Sequence, residues 1–570
     1  MPSKLVEFEI ARPAIFGVNS SASGDVMPKE YAVQANNVVF NDEGVAECRR
    51  GSQKQHSTPL TDYPIVGEFA TDQTVRQIFN TVDQAGADIT IFSTEDGIFK
   101  SKGSSIENIT GTITAPSAGN WKFVNLNNEV LGFQAGNVAC KLTDVGGGEF
   151  EDFVLTGTPA SAPINTTTNV IQDVLSAFGR LWVLEGDELH YSSTLVPEDF
   201  RTSDENNSSD GGTFTLNATY LNGKAKPVAI REFNGNLLVM CEDHITVWAN
   251  PWNPNDSGAN YGGNTSTVVT YTAPMQVLET IGGVGCIARD SIQDTQNDIV
   301  FLSEQGVTSL SRVIQEKSMP IKRHSDNMRQ EVLELIRSSN SSKNIWSAYL
   351  PAKGNYLFGS PVLGKCFLLD LSAPLPDNTY RMATWDKVLT TMDASPQSRL
   401  GTGDDVWEAL WISEDVNYIS KMGGFNDGSS TGTADGTSYL MTFESAWTSI
   451  LEEFENNIKM PKRMGVVIKG SGSQSFSMNL AFDYGDYVGS RAKTGTSVLS
   501  NPSTYVDFNY GGVTIDEDTA YYGTATNIKL STLSGYGKGR ILKIKVTSTI
   551  DGNVVSLQRI SINCKVGRRL

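Results

Sequence analysis

The chain is poor in the side chains that most enzymatic chemistry uses. Among 570 residues it has four histidines, His56, His190, His244 and His324. None stands in a His-x-x-x-His pair or beside paired cysteines, so the spacing argues against a zinc site. The six cysteines are Cys48, Cys140, Cys241, Cys286, Cys366 and Cys564, with no two within five residues. That excludes Cys-x-x-Cys redox and zinc-knuckle motifs, and buried free thiols are expected. No run of 18 apolar residues occurs, so no membrane-spanning helix is expected. The opening MPSKLVEFEIARPAIFGV places Glu7, Glu9 and Arg12 where a signal peptide is unbroken and apolar. Synthesis in a cytosol is expected, and triplets such as Asn165–Thr167 and Asn340–Ser342 read as loop composition and not as glycan sites. Basic residues are also scarce: 45 Lys+Arg against 64 Asp+Glu give a net charge of −19. As a whole, such a chain repels a phosphate backbone.

Local motifs for catalysis fail one by one. Gly428-Ser429-Ser430-Thr431-Gly432 matches a nucleophile elbow in letters, but it lies in a Gly/Ser/Thr loop without the required strand before it and helix after it. Asp204, Asn206, Ser208 and Asp210 alternate as oxygen donors before Gly211-Gly212 but lack the closing Glu of a calcium loop. In Asp404/Asp405 and Glu414/Asp415 the two carboxylates are adjacent, so on a strand they point to opposite faces and cannot act as a glycosidase couple. Ser93-Thr94-Glu95-Asp96-Gly97 resembles a sialidase Asp-box only loosely, with the Asp displaced by one position. No Walker loop and no dinucleotide fingerprint is present. The reading is therefore no enzyme, no metal and no cofactor.

What the chain does have is glycine, 53 residues, and a repeated hairpin. The copies are ITIFSTEDGIFKSK from Ile89, EVLGFQAGNVACKL from Glu129, RLWVLEGDELHYSS from Arg180, NLLVMCEDHITVWA from Asn236, DIVFLSEQGVTSLS from Asp298 and EALWISEDVNYISK from Glu408. A looser copy, NYLFGSPVLGKCFLLDLS, starts at Asn355. In each, period-2 apolar residues flank a tight acidic or glycine turn. The copies lie about 40 to 60 residues apart, the length of a four-stranded propeller blade. The fold class expected is all-β: a β-propeller of about seven blades, six or eight also fitting, over residues 61–424. One helix is expected in SDNMRQEVLELIRSSN, with Ser325 as N-cap and Met328, Val332, Leu335 and Ile336 forming a one-sided stripe. It either packs on its own blades or supports a channel or a neighbouring subunit. The loop GGFNDGSSTGTADGTS marks a boundary near residue 425, followed by the strand YLMTFESAW. Beyond residue 455, MGVVIKG, SFSMNLAF, NIKLS, ILKIKVTST and LQRISINCKV read as a β-sandwich of about 115 residues. Residues 1–60 are expected to form an arm that pairs with this C-terminal domain, 425–570. Within it, residues 31–50 either lend the propeller a closing strand or brace the sandwich.

Several stretches resemble tail nozzle or tail hub proteins of short-tailed, podovirus-type bacteriophages. They are NNVVFNDEGVAECRRGSQKQ (Asn36 to Gln55), VLSAFGRLWVLEGDELHYSSTLVPEDF (Val174 to Phe200), GGVGCIARDSIQDTQNDIVFLSEQGVTSLSRV (Gly282 to Val313), YRMATWDKV (Tyr380 to Val388) and the terminal LQRISINCKVGRRL. The resemblance implies a structural virion protein. Six copies would form a ring below portal and adaptor, extend and close the DNA channel, and conduct double-stranded DNA during ejection without reading its sequence. Partners would be other copies, the tail adaptor above, and tail fibres or spikes, in a virion tail assembled in the host cytoplasm. The alternative of a different class is a carbohydrate-binding or glycan-hydrolysing propeller, an adhesin.

Charge is unevenly shared. Residues 455–570 hold 15 basic and 8 acidic residues, a net of +7, and residues 1–454 a net of −26. The candidate interface toward an acidic adaptor or neighbour is therefore Arg540, Lys543, Lys545, Arg559, Lys565, Arg568 and Arg569. The acidic propellers would surround the exit channel, where carboxylates keep DNA from adhering. A solvated surface is the plain alternative.

Overall fold

A computed structural model describes residues 5–569 apart from 25–26, 42, 64–71, 103–104, 114–119, 156–170, 202–209, 217–225, 253–274, 296, 317–322, 340–343, 396–406, 408, 415, 431–435, 450–456, 471, 488–491 and 500–526. The chain is all-β, and each of the repeated hairpins stands in a different sheet. Ile89 and Ile98 begin or adjoin the middle strands of a four-stranded antiparallel sheet over 77–108, and the same order recurs over 121–152, 171–215 and 227–282. A three-stranded sheet covers 293–309, and the hairpin from Asn355 and the one reaching Met422 belong to larger sheets.

Apolar side chains stack these sheets in chain order. Ile91 and Ile98 meet Trp121 and Val130. Leu131 and Phe133 meet Val174 and Val183. Trp182 and Leu189 meet Ile230 and Leu237. Leu238 and Met240 meet Ile299 and Phe301. Val300 and Leu302 continue into Leu357 and Leu368, then Met392 and Ile412. Trp411 and Ile419 return to Ile78, Phe92 and Phe99 of the first sheet. The stack thus closes on itself, a β-propeller. The last sheet is completed by a strand from near the N-terminus: Ser52–Lys54 pairs antiparallel with Ser420–Met422, and Ser429–Ser430 lies parallel on its other side.

The rest of residues 5–50 joins the ring to the C-terminal strands. Leu5–Ala11 runs antiparallel to the long strand Val555–Arg569, register Phe8 to Ile562. Ala46–Cys48 meets the same strand at Glu47 and Ser556. Ala32–Asn36 pairs with Tyr439–Ser445 on one side and, through Asn36, with Thr384 on the other. One nine-stranded sheet therefore runs from the propeller strand Trp346–Leu350 out to Lys493–Leu499. Its outer part and a six-stranded sheet contribute to one core: Met441, Phe443, Phe476, Met478 and Ile544 from the first, Phe8, Ile10, Met464, Val466, Ile560 and Ile562 from the second. All six cysteines are free and buried.

Two expectations need correction. The helix Arg329–Ser339 is present, entered through a 3₁₀ turn Asp326–Met328, but Ser325 makes no side-chain cap. Its hydroxyl instead accepts from the Val307 amide at 2.9 Å, because the turn folds back onto the Gly306–Ser309 strand. Nor is the amphipathic helix alone: Leu310–Glu316 forms a second, with Leu310 and Val313 buried against the neighbouring sheets. Its seven residues are too few for a readable stripe. Val332, Leu335 and Ile336 of the longer helix pack on the molecule's own sheets.

Candidate functional site

The candidate basic interface divides over two surfaces. On Leu542–Ile550, residues Leu542, Ile544 and Val546 face the core, so Lys543 and Lys545 leave on the outer face of the nine-stranded sheet. There Glu444 takes both: it pairs with Lys543 and lies 3.8 Å from Lys545. Lys543 also sits 5.9 Å from the Trp447 ring centre, and both lysines are 5.8 Å from that of Tyr487. On Val555–Arg569, residues Ile560, Ile562 and Cys564 face the core, and Arg559 and Lys565 point out from the other sheet. Arg559 is 3.4 Å from Glu9, and the outer face carries exposed Leu5 and Leu530. Arg568 and Arg569 continue that strand. Arg540 lies at a turn, its amide donating to Asp483 at 2.7 Å. Burial at every second position decides this division, which a charge count does not register.

A buried charged group, of which sequence reading singled out Glu414 alone, stands where propeller and C-terminal sheets meet. Arg49, fully buried, forks onto Asp427 with Nη1–Oδ1 2.8 Å and Nη2–Oδ2 2.6 Å, gives Nε to Asn37 at 2.9 Å, and lies over the Tyr439 ring at 4.0 Å. Lys387 reaches the same Asp427 at 2.8 Å and pairs with Glu414. Burial pushes the Asp427 carboxyl up, but Arg49 and Lys387 more than reverse this, so it titrates below its ordinary range. Ser52 lies at the centre, receiving Lys387 Nζ at 3.1 Å and the Gly428 amide at 2.8 Å, while its hydroxyl donates to Glu414. A Ser–Lys pair suggests a nucleophile, but Lys387 donates to two carboxylates and offers Ser52 no lone pair. Ser52 is fully buried as well. The arrangement is a latch that holds the closing strand.

The third assembly lies where the first strands of successive sheets converge. Arg231 pairs with Asp173, a carboxylate that also accepts the Ile230 amide at 3.0 Å. Arg289 forks onto Asp290 with both bonds at 2.9 Å. Asp393 accepts from Asn80 through its amide at 3.2 Å and its Nδ2 at 2.9 Å, and burial pushes its carboxyl up to about 6. Lys122 stands among them, and burial lowers its pKa.

The other candidates resolve simply. His190 contacts Thr213 at 2.9 Å and has Glu185 and Glu188 at 3.3 and 3.6 Å, and burial lowers its pKa to about 4. His244 meets Asp243. The two occupy corresponding strands, Glu188–Tyr191 and His244–Ala249, of successive sheets. Among the described residues no group of three His, Cys, Asp or Glu side chains is placed to hold a metal ion. No helix among them is long and apolar enough to cross a membrane. Asp204, Asn206, Ser208, Asp404, Asp405, Asp415, Thr431 and Gly432 lie outside the described residues.

Compared with known proteins, the chain matches no family model and no curated protein. Among solved structures it is similar to BamB from Moraxella catarrhalis, at 9% identity over 66% of this chain and 99% of that one, with a TM-score of 0.33. It is similar to the Pan2 WD40 domain of Neurospora crassa at 8% identity, over 66% and 96% of the two chains, with a TM-score of 0.36. It is also similar to YCF48 bound to D1 peptide, at 8% identity over 64% and 98%, with a TM-score of 0.31. At these values no function is carried over.

Proposed function

We propose that the chain is a structural tail nozzle protein of a short-tailed bacteriophage: a propeller of about seven blades over 61–424 joined to a C-terminal β-sandwich over 425–570, with residues 1–60 serving both. One observation carries the reading. Three of the segments that resemble nozzle proteins meet in space, although they are distant in sequence. Val38–Phe40 pairs with Ala46–Cys48, both from the first, and Glu47 meets Ser556, the residue just before the last segment. Trp385 from YRMATWDKV donates its indole N–H to the Val38 carbonyl at 2.9 Å, and the Asp386 amide donates to Asn37 at 3.1 Å. A joint built from sheet pairing and a buried charge latch suits a part that must hold one angle between two bodies while DNA passes.

Six copies in a heterologous, closing ring are expected to surround the bore. Charged pairs line the meeting point of the sheets in each subunit and leave only a small cavity, so the bore would run between subunits. The basic residues proposed to face the adaptor stand on two faces, where Glu444 offsets one of Lys543 and Lys545 and Glu9 offsets Arg559. No enzymatic turnover is expected. Imaging of purified tails and assembled rings tests this: a monomer, or a three-fold arrangement on the tail, contradicts it. Turnover of polysaccharide or peptidoglycan that one Asp or Glu substitution abolishes would favour the adhesin reading instead.

A further inference from the structure

We propose that the cavity at the centre of the propeller binds a small tetrahedral oxyanion of the phosphate type, with Lys122 as its principal partner. The cavity is about 150 Å³, space for a few waters' worth of ligand, and it is lined from the 77–108, 121–152 and 227–282 sheets, the Arg289–Ser291 turn and Thr391–Ala394. Four cations line it: Arg76, Lys122, Arg231 and Arg289. Three have carboxylates of their own. Arg76 pairs with Glu95, Arg231 with Asp173 and Arg289 with Asp290.

Lys122 does not. The nearest carboxylate oxygen, Asp173 Oδ1, is 3.8 Å away, outside hydrogen-bond reach. Asp173 is already committed to Arg231 and to the amides of Ile230 and Val174. Across the cavity, Asp393 is turned to Asn80. Arg76 Nε also finds no acceptor. Lys122, its side chain only 23% exposed, and Arg76 Nε thus bring donors without protein acceptors to a small polar cavity, which suits an acceptor-rich occupant. A tetrahedral oxyanion supplies acceptors in several directions and the negative charge that the wall lacks at Lys122. Of the carboxylates there, Asp290 and Asp173 are offset by Arg289 and Arg231, whereas Asp393 has no cation at bonding distance and opposes an anion, so neutralising it strengthens the site. This inference rests on the cavity alone and is independent of the nozzle reading.

The test uses the full chain and inorganic phosphate, with sodium chloride of equal ionic strength as control and acetate as a planar oxyanion. Phosphate is expected to raise the melting temperature with saturation at millimolar concentration, chloride to have no saturable effect, and acetate to bind at least tenfold more weakly. Lys122→Met, folded by circular dichroism, is expected to weaken phosphate at least tenfold, and Asp393→Asn to tighten it several-fold. Equal responses to phosphate and chloride overturn the proposal, as do acetate binding the tighter or a folded Lys122→Met with unchanged affinity. If Lys122→Met does not fold, Asp393→Asn decides, and unchanged phosphate affinity in it overturns the proposal.

Discussion

Two half-buried aspartates set opposite pH dependences. Asp393 has no cation at bonding distance and titrates at about 6, above the roughly 3.9 of an unfolded chain. The native state therefore holds its proton more tightly. Its contribution to stability is full below about pH 4 and is lost as pH rises to about 6, a change on the order of 3 kcal/mol. Asp393→Asn is expected to gain about 1–2 kcal/mol at pH 8 and almost nothing at pH 4, read by urea denaturation at both pH values. Asp427 is the reverse case: its carboxyl is held low, so its stabilisation is present above the unfolded pKa and is lost as pH falls through the native one. Asp427→Asn would leave Arg49 and Lys387 buried with one acceptor fewer. A loss of about 3–5 kcal/mol at neutral pH and a shallower acid transition are expected. Neither role is legible from sequence. Asp393 follows Met392 in an ordinary strand, and Asp427 sits in a Gly-rich loop. Each depends on partners more than 300 residues away, Asn80 and Arg49.

At the scale of elements, closure of the ring depends on three residues. Ser52–Lys54 enters the last sheet because Gly51 lets the chain pass the Asn426 backbone: a Cβ at Gly51 would stand 2.0 Å from the Asn426 carbonyl oxygen. Backbone cannot yield there as a side-chain tip would. Gly51→Ala is expected to cost more than about 2 kcal/mol. It should also raise protease sensitivity in the first and last sheets before the C-terminal sheets, readable by limited proteolysis with mass spectrometry. Gly136→Ala, at a hairpin tip with nothing within 4 Å of a Cβ, is the control for steric loss, its cost confined to a positive φ of 84°. The repeated hairpins were readable because each is local: apolar alternation and a turn within about 14 residues. The strands that flank them were harder, and Gln53 carries no mark of pairing with Lys421.

For the whole molecule, the acidity of the propeller is the property to test. In the nozzle proposed above, six copies would carry a charge on the order of −150 on residues 1–454, and screening limits its reach to about 8 Å at physiological salt. Only carboxylates at the bore wall would then act on DNA. Reversing several of them to Lys in assembled particles is expected to slow ejection and steepen its salt dependence, because adhesion grows with the phosphates neutralised. Unchanged ejection would leave the acidity as a solubility trait.

The sequence by itself determined the strand-rich class, the hairpins, the helix stripe at Val332, Leu335 and Ile336, and the buried thiols. All of these follow from periodicity and composition within a short window. Tertiary structure decided the rest. It placed Lys543 and Arg559 on different faces, gathered Lys122, Asp173, Arg231, Arg289 and Asp393 around one cavity, and bound residues 5–54 to both bodies. The physical reason is that side-chain alternation is a property of neighbours, whereas strand partners and burial of charge are set between residues hundreds of positions apart, where local pattern carries no record of distance.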